Sequence, residues 1–89
     1  MKAFITVIGK DKVGIIAHIA NALADLEVNI LDINQTVMDD TFTMIMMADV
    51  SLCTVPFSEL TARMDKAGRA LGMSVQIQHE DIFNSMHRL

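Results

Sequence analysis

Apolar and polar positions alternate along the chain with two different periods, and the switches between them mark its elements. Residues 3–8 form a short, apolar, β-branched run closed by Gly9. Both of its parities, Ala3/Ile5/Val7 and Phe4/Ile8, are apolar, and Thr6 is the one polar member. Such a strand is expected in the middle of a sheet with cover on each face. Residues 13–27 then follow a helical period: Ile16, Ile19, Ala20, Leu23 and Leu26 share one face, with His18, Asn21 and Asp25 opposite. Asp11 stands where a short carboxylate would cap that helix. Residues 28–38 switch to a period of two, with Leu31, Ile33 and Val37 on one face and Asp32, Asn34 and Thr36 on the other. Asp39-Asp40 turns the chain into residues 41–50, where Phe42, Met44, Met46, Ala48 and Val50 share a face. Two long strands so closely joined predict a hairpin.

After a loop over residues 51–55, Pro56 opens the first turn of a second helix reaching residue 71. Its stripe is Phe57, Leu60, Met64, Ala67 and Leu71, and Gly72 supplies the stop. Residues 73–78 alternate again, Met73/Val75/Ile77 against Ser74/Gln76/Gln78. Residues 80–89 carry Ile82, Phe83, Met86 and Leu89 at the spacing of a short amphipathic helix. This order predicts an α+β fold, the ferredoxin-like βαββαβ sandwich: a four-stranded antiparallel sheet with both helices on one face, plus a short C-terminal helix. No repeat or linker divides residues 1–89, which read as a single domain. The second sheet face would collect Ile45 and Met47 beside Thr41 and Thr43, a mixture that suggests partial cover by another chain or by the terminal helix. The second strand is a long edge with Asp32 as its obvious charge guard, and such an edge invites pairing.

Composition narrows the function classes. The chain has 89 residues, 52% hydrophobic and 20% charged, which excludes disorder and makes an oligomer a reasonable expectation for so small a domain. Net charge is −4, and the seven basic residues are scattered, so direct nucleic-acid binding is disfavoured. Cys53 is alone, the eight Met suit a reducing interior, and no apolar run is long enough to cross a bilayer. The chain therefore reads as cytoplasmic, with no membrane contact. His18, His79 and His87 lack metal-ligand spacing, so no metal and no cofactor is expected. No nucleophile–base or acid–base pair is visible, and the first loop offers Lys10 and Lys12 rather than the Arg of a phosphate cradle. No catalytic residue is assigned, and an enzyme such as an acylphosphatase-like hydrolase is disfavoured.

Candidate chemistry lies in the first loop. Asp11-Lys12-Val13-Gly14-Ile15-Ile16 leads into a helix whose free N–H groups and positive dipole end suit a carboxylate. Gly14 permits close approach, and Asp11 beside it is placed to accept an ammonium. Together these are the minimum equipment for an α-amino acid. Each residue also has a plain structural use: Asp11 as a cap, Gly14 for close packing against the third strand, Asn29 as a turn residue.

At these positions, and over nearly its whole length, the sequence resembles the ACT family of amino-acid-binding regulatory domains. The resemblance rests on Asp11-x-x-Gly14-Ile15-Ile16 entering a helix, on Val28-Asn29-Ile30 opening the second strand, and on the element order. The run Asp32-Ile33-Asn34-Gln35-Thr36-Val37 and the tail Ile82-Phe83-x-x-Met86 are similar to small stand-alone members related to the regulator of the glycine cleavage system. The resemblance implies a homodimer through strand two and helix one, with an amino acid or similar small ligand at the seam. The implied ligand-binding residues are Asp11, Lys12, Val13 and Gly14 of one chain and Asn29 of the other. Serine-sensing relatives carry His and Asn where this chain has Gly9 and Asp11, so the resemblance does not extend to serine specificity. The expected function is a small-molecule-binding regulatory domain read by a regulated protein partner. The alternative is a ligand-free interaction adaptor on the same dimer.

Overall fold

The computed structural model describes residues 1–82. Its elements are β1 (Lys2–Lys10), α1 (Ile15–Asp25), β2 (Asn29–Met38), β3 (Thr41–Asp49), α2 (Phe57–Ala70) and β4 (Ser74–His79). The strands form one antiparallel sheet in the order β2-β3-β1-β4, the ferredoxin-like arrangement expected. A helical turn begins at residues 80–82; the remainder of the expected terminal helix, with Phe83, Met86 and Leu89, lies outside the described residues.

Alternation sorts the strands into two faces. Ala3, Ile5 and Val7 of β1 and Phe42, Met44, Met46 and Ala48 of β3 are buried beneath the helices, as the pattern predicts. Ile15, Ile19 and Leu23 of α1 and Leu60 and Met64 of α2 meet them from above. Among the described residues this core holds no buried polar or charged side chain, so apolar burial and close packing hold it together. Gly68 has a packing reason: a Cβ there would collide with Val75, so the missing side chain lets α2 settle onto β4.

Several expectations require correction. The buried face of α1 is the i, i+4, i+8 row of Ile15, Ile19 and Leu23, which turns Ile16 to the exposed side of the helix. Its cap is Gly14, at φ 88° in the left-handed region, and no side chain caps it. Asp11 is therefore three residues too early to cap; its own N–H donates to the Asp40 carbonyl at 2.6 Å. Gly14 does not pack against β3 either: nothing lies within 4 Å of where its Cβ would stand, and backbone conformation alone calls for glycine. Pro56 sits just before α2, with extended ψ, rather than in its first turn. Cover on both faces of β1 is not found among the described residues, since Ile8 is exposed on the face away from the helices. In β2 the alternation breaks at a bulge: Ile30 pairs with Ala48 and Asp32 with Met47, leaving Leu31 as the extra residue.

Both helices end in the same turn. After α1, Glu27 at φ 62° donates to the Ala24 carbonyl, and Val28 N–H donates to Leu23 at 3.0 Å. After α2, Gly72 at φ 70° donates to Arg69, and Met73 N–H donates to Gly68 at 2.8 Å. These are Schellman turns, one with the glycine it favours and one with a glutamate.

Candidate functional site

The groove with the most relevant chemistry opens at the start of α1. It has a volume of about 350 Å³ and is bounded by the loop residues Asp11, Lys12 and Gly14, the first turn of α1, and Gln35, Val37 and Phe42 of the sheet. Its geometry follows from local sequence. Gly14 bends the chain so that α1 starts over the open end of β2 and β3, where Met38 pairs with Thr41. The N–H groups of Ile15, Ile16 and Ala17 have no intrahelical acceptor, no side chain caps them, and the first turn holds no acid. An anionic group seated there meets backbone donors and the positive end of the helix dipole.

Around that seat the polar side chains differ in role. Asp11 is exposed at the mouth, placed to accept from a cation. Lys12 reaches toward the end of α2: its Nζ lies 3.7 Å from where a Cβ on Gly72 would stand. Gln35 lies opposite Met44 in the register, on the helix side of the sheet, and contributes an amide able to donate and accept. Ile16, Val37 and Phe42 make the remaining wall apolar.

The expected site residues therefore divide. Asp11, Lys12 and Gly14 come together at the groove. Val13 is fully exposed and is absent from its lining. Asn29 is at the far end of β2, opposite Asp49, roughly 30 Å along the strand from Met38. Within one chain it cannot meet Asp11. Sequence reading missed Gln35, although the signal was present: it shares the parity of Ile33 and Val37 and is the one polar residue in that apolar row.

Among the described residues, no three His, Cys, Asp or Glu side chains gather as metal ligands would. No helix among them is long and apolar enough to cross a membrane. Among the described residues, one carboxyl away from the groove has its titration displaced. The hydroxyl and backbone N–H of Ser51 hold the Asp49 carboxyl below its ordinary range, helped by the N-terminal ammonium at 3.6 Å.

Comparison with known proteins places this geometry in context. The family model described as the ACT domain matches residues 2–78. A UPF0237 protein of Clostridium acetobutylicum is 55% identical over 89 residues, covering all of both chains. The solved structure of an ACT domain protein from Streptococcus pneumoniae superposes with a TM-score of 0.82 at 41% identity, covering 93% of each chain. A candidate transcriptional repressor of the glycine cleavage system shares the fold, with a TM-score of 0.73 at 18% identity over 89% of this chain and 47% of its own.

Proposed function

The chain belongs to the ACT domain family, a family of generally regulatory, small-ligand-binding domains, and from that premise we propose that it senses a free amino acid or close analogue at the seam of a homodimer. The observation that carries this reading is the state of β2. On its helix side, Ile33 is 40% and Val37 49% exposed, at an edge strand that ends beside the groove. A second β2 pairing antiparallel about a two-fold axis covers these side chains and supplies the missing hydrogen-bond partners of the edge.

The same symmetry resolves the position of Asn29. Antiparallel pairing of two β2 strands brings Asn29 of the partner subunit toward the Met38 end of the first, the end that holds Asp11, Lys12 and Gly14. The α-carboxylate then sits on the N–H groups of α1 and the ammonium on Asp11. The Asn29 amide of the partner subunit closes the pocket, while Gln35 and Val37 face the ligand's side chain. Regulation follows by linkage: a ligand bridging two chains stabilises the seam, and a partner protein reads the stabilised form. The chain acts by binding rather than catalysis in this reading, and the lone thiol of Cys53 suits a reducing cytoplasm.

Calorimetric titration of the purified protein with each proteinogenic amino acid tests the proposal. One small group of them is expected to bind with a Kd in the micromolar range. Asp11→Ala and Asn29→Ala are each expected to weaken that binding roughly tenfold or more, about 1.4 kcal/mol, without dissociating the dimer. A folded dimer that gives no heat at millimolar ligand overturns the sensing role and leaves the interaction adaptor.

A further inference from the structure

β2 is symmetric about one residue in a way its sequence hides. On β3, Asn34 is opposite Ile45, Met38 opposite Thr41 and Asn29 opposite Asp49, so both ends of β2 lie four positions from Asn34. Counted on β2 itself the two arms are unequal, and the bulge at Leu31 absorbs the odd residue. A two-fold axis through Asn34 therefore pairs the whole strand with its copy, while every other register loses pairs at both ends. With the axis there, Asn29 of the partner subunit stands level with Met38, and Ile30 of the partner subunit with Val37. Gln35 of the partner subunit stands level with Ile33.

One hydrogen bond is in the way of that pairing. The pair flanking a two-residue turn, here Met38 and Thr41, is the hydrogen-bonded one, and alternation from it turns the N–H and C=O of Val37, Gln35 and Ile33 to the outer border. The Ile33 N–H agrees, because it donates to Oδ1 of its own neighbour Asp32 at 2.9 Å. Pairing about Asn34 makes Ile33 and Gln35 of the partner subunit a hydrogen-bonded pair, so this N–H must leave the carboxylate and donate to the Gln35 carbonyl across the seam. The two Asp32 side chains themselves stay on the order of 14 Å apart in that register, beyond the reach of strong repulsion in salt.

We propose that Asp32 is a latch on the border of β2: its carboxylate holds the Ile33 N–H in the separate chain and releases it only when two strands meet in register about Asn34. This inference rests on the homodimeric seam proposed above and adds to it a centre and a local brake. Each dimer opens two such latches, one on each strand. The brake acts through an accepted hydrogen bond rather than through charge alone.

Cysteine cross-linking and association measurements on the full chain test it. Asn34→Cys in a Cys53→Ala background places two thiols on a non-hydrogen-bonded pair at the axis, with Cα atoms about 4.5 Å apart, within the span of a disulfide. It is expected to oxidise to a covalent dimer on a non-reducing gel well ahead of Ile33→Cys or Gln35→Cys in the same background; all three positions are exposed. In sedimentation equilibrium Asp32→Ala is expected to tighten self-association roughly tenfold, and Asp32→Asn, which keeps an oxygen acceptor, to fall between it and the parent. Cross-linking led by Ile33→Cys or Gln35→Cys overturns the register while the seam stands. Association of Asp32→Ala that is unchanged or weaker overturns the latch, and equal gains from Asp32→Ala and Asp32→Asn assign the brake to charge instead. Three cysteine variants that all stay monomeric, beside a monomeric Asp32→Ala, remove the seam itself.

Discussion

The two borders of the sheet are finished differently: one is roofed by a helix and the other is bare. β4 is short and roofed by α2: Val75 is 8% and Ile77 7% exposed, and Gly68 lets the helix sit directly on Val75. The outer side of α2 is charged, with Arg63–Glu59 and Arg69–Asp65 ion pairs one turn apart at 3.2 and 2.9 Å. Each is worth only a few tenths of a kcal/mol, but together they mark a surface that faces water. β2 is longer and bare, with Ile33 and Val37 uncovered and a bulge at Leu31. Beside it, α1 has no Asp, Glu, Lys or Arg between residues 15 and 24. One border is covered by its own helix and the other is open.

The largest expected effect breaks this contrast directly. Ile33→Lys combined with Val37→Lys should weaken self-association at least roughly a hundredfold, about 2.7 kcal/mol, in sedimentation equilibrium. Gln76→Lys on β4 should leave it unchanged. Equal loss from both borders, or a monomeric parent protein, would remove the asymmetry.

Next in size is the packing that completes β4. Gly68→Ala should destabilise the chain by about 1–3 kcal/mol in urea unfolding, because backbone of α2 and the branched side chain of Val75 must separate. Gly14→Ala should cost about 1 kcal/mol, through its positive φ alone, since open space surrounds the site. The two helix ends sharpen the comparison further. Glu27→Gly should stabilise by up to about 1 kcal/mol, and Gly72→Ala should lose a similar amount, as measured by thermal unfolding.

The smallest effect is set by pH. Ser51 keeps the folded Asp49 pKa below the ordinary 3.8. Its contribution to stability is therefore present above that value and lost as pH falls through the lower folded one. Asp49→Asn should flatten the decline in melting temperature as pH falls below 3.8, while leaving neutral-pH association intact.

Periodicity disclosed the layers because a buried strand face and a helical stripe leave regular traces, as in Phe42, Met44, Met46 and Ala48. It erred at irregular backbone. Asp11 has the side chain of a cap, yet the left-handed turn at Gly14 moves the helix start beyond its reach. Leu31 fits an alternating strand, yet it is the residue the ladder skips. The candidate site was legible in part: Asp11, Lys12 and Gly14 adjoin in sequence and in space. Gln35 enters the groove only through the hairpin register, which brings β2 under the start of α1. Asn29 is remote within the chain, and a symmetry axis, which no single chain contains, is what would return it.

The brevity of β4 has a consequence for assembly. A ribbon that grows without limit needs a receptive border on each side of every unit. This chain has a ten-residue strand at one border and a six-residue strand at the other, the short one closed at its end by the stacked rings of Phe57 and His79. In the proposed homodimer, joining at the long border would consume it in both copies and leave only the poorer one outward, which would favour a pair over a growing ribbon.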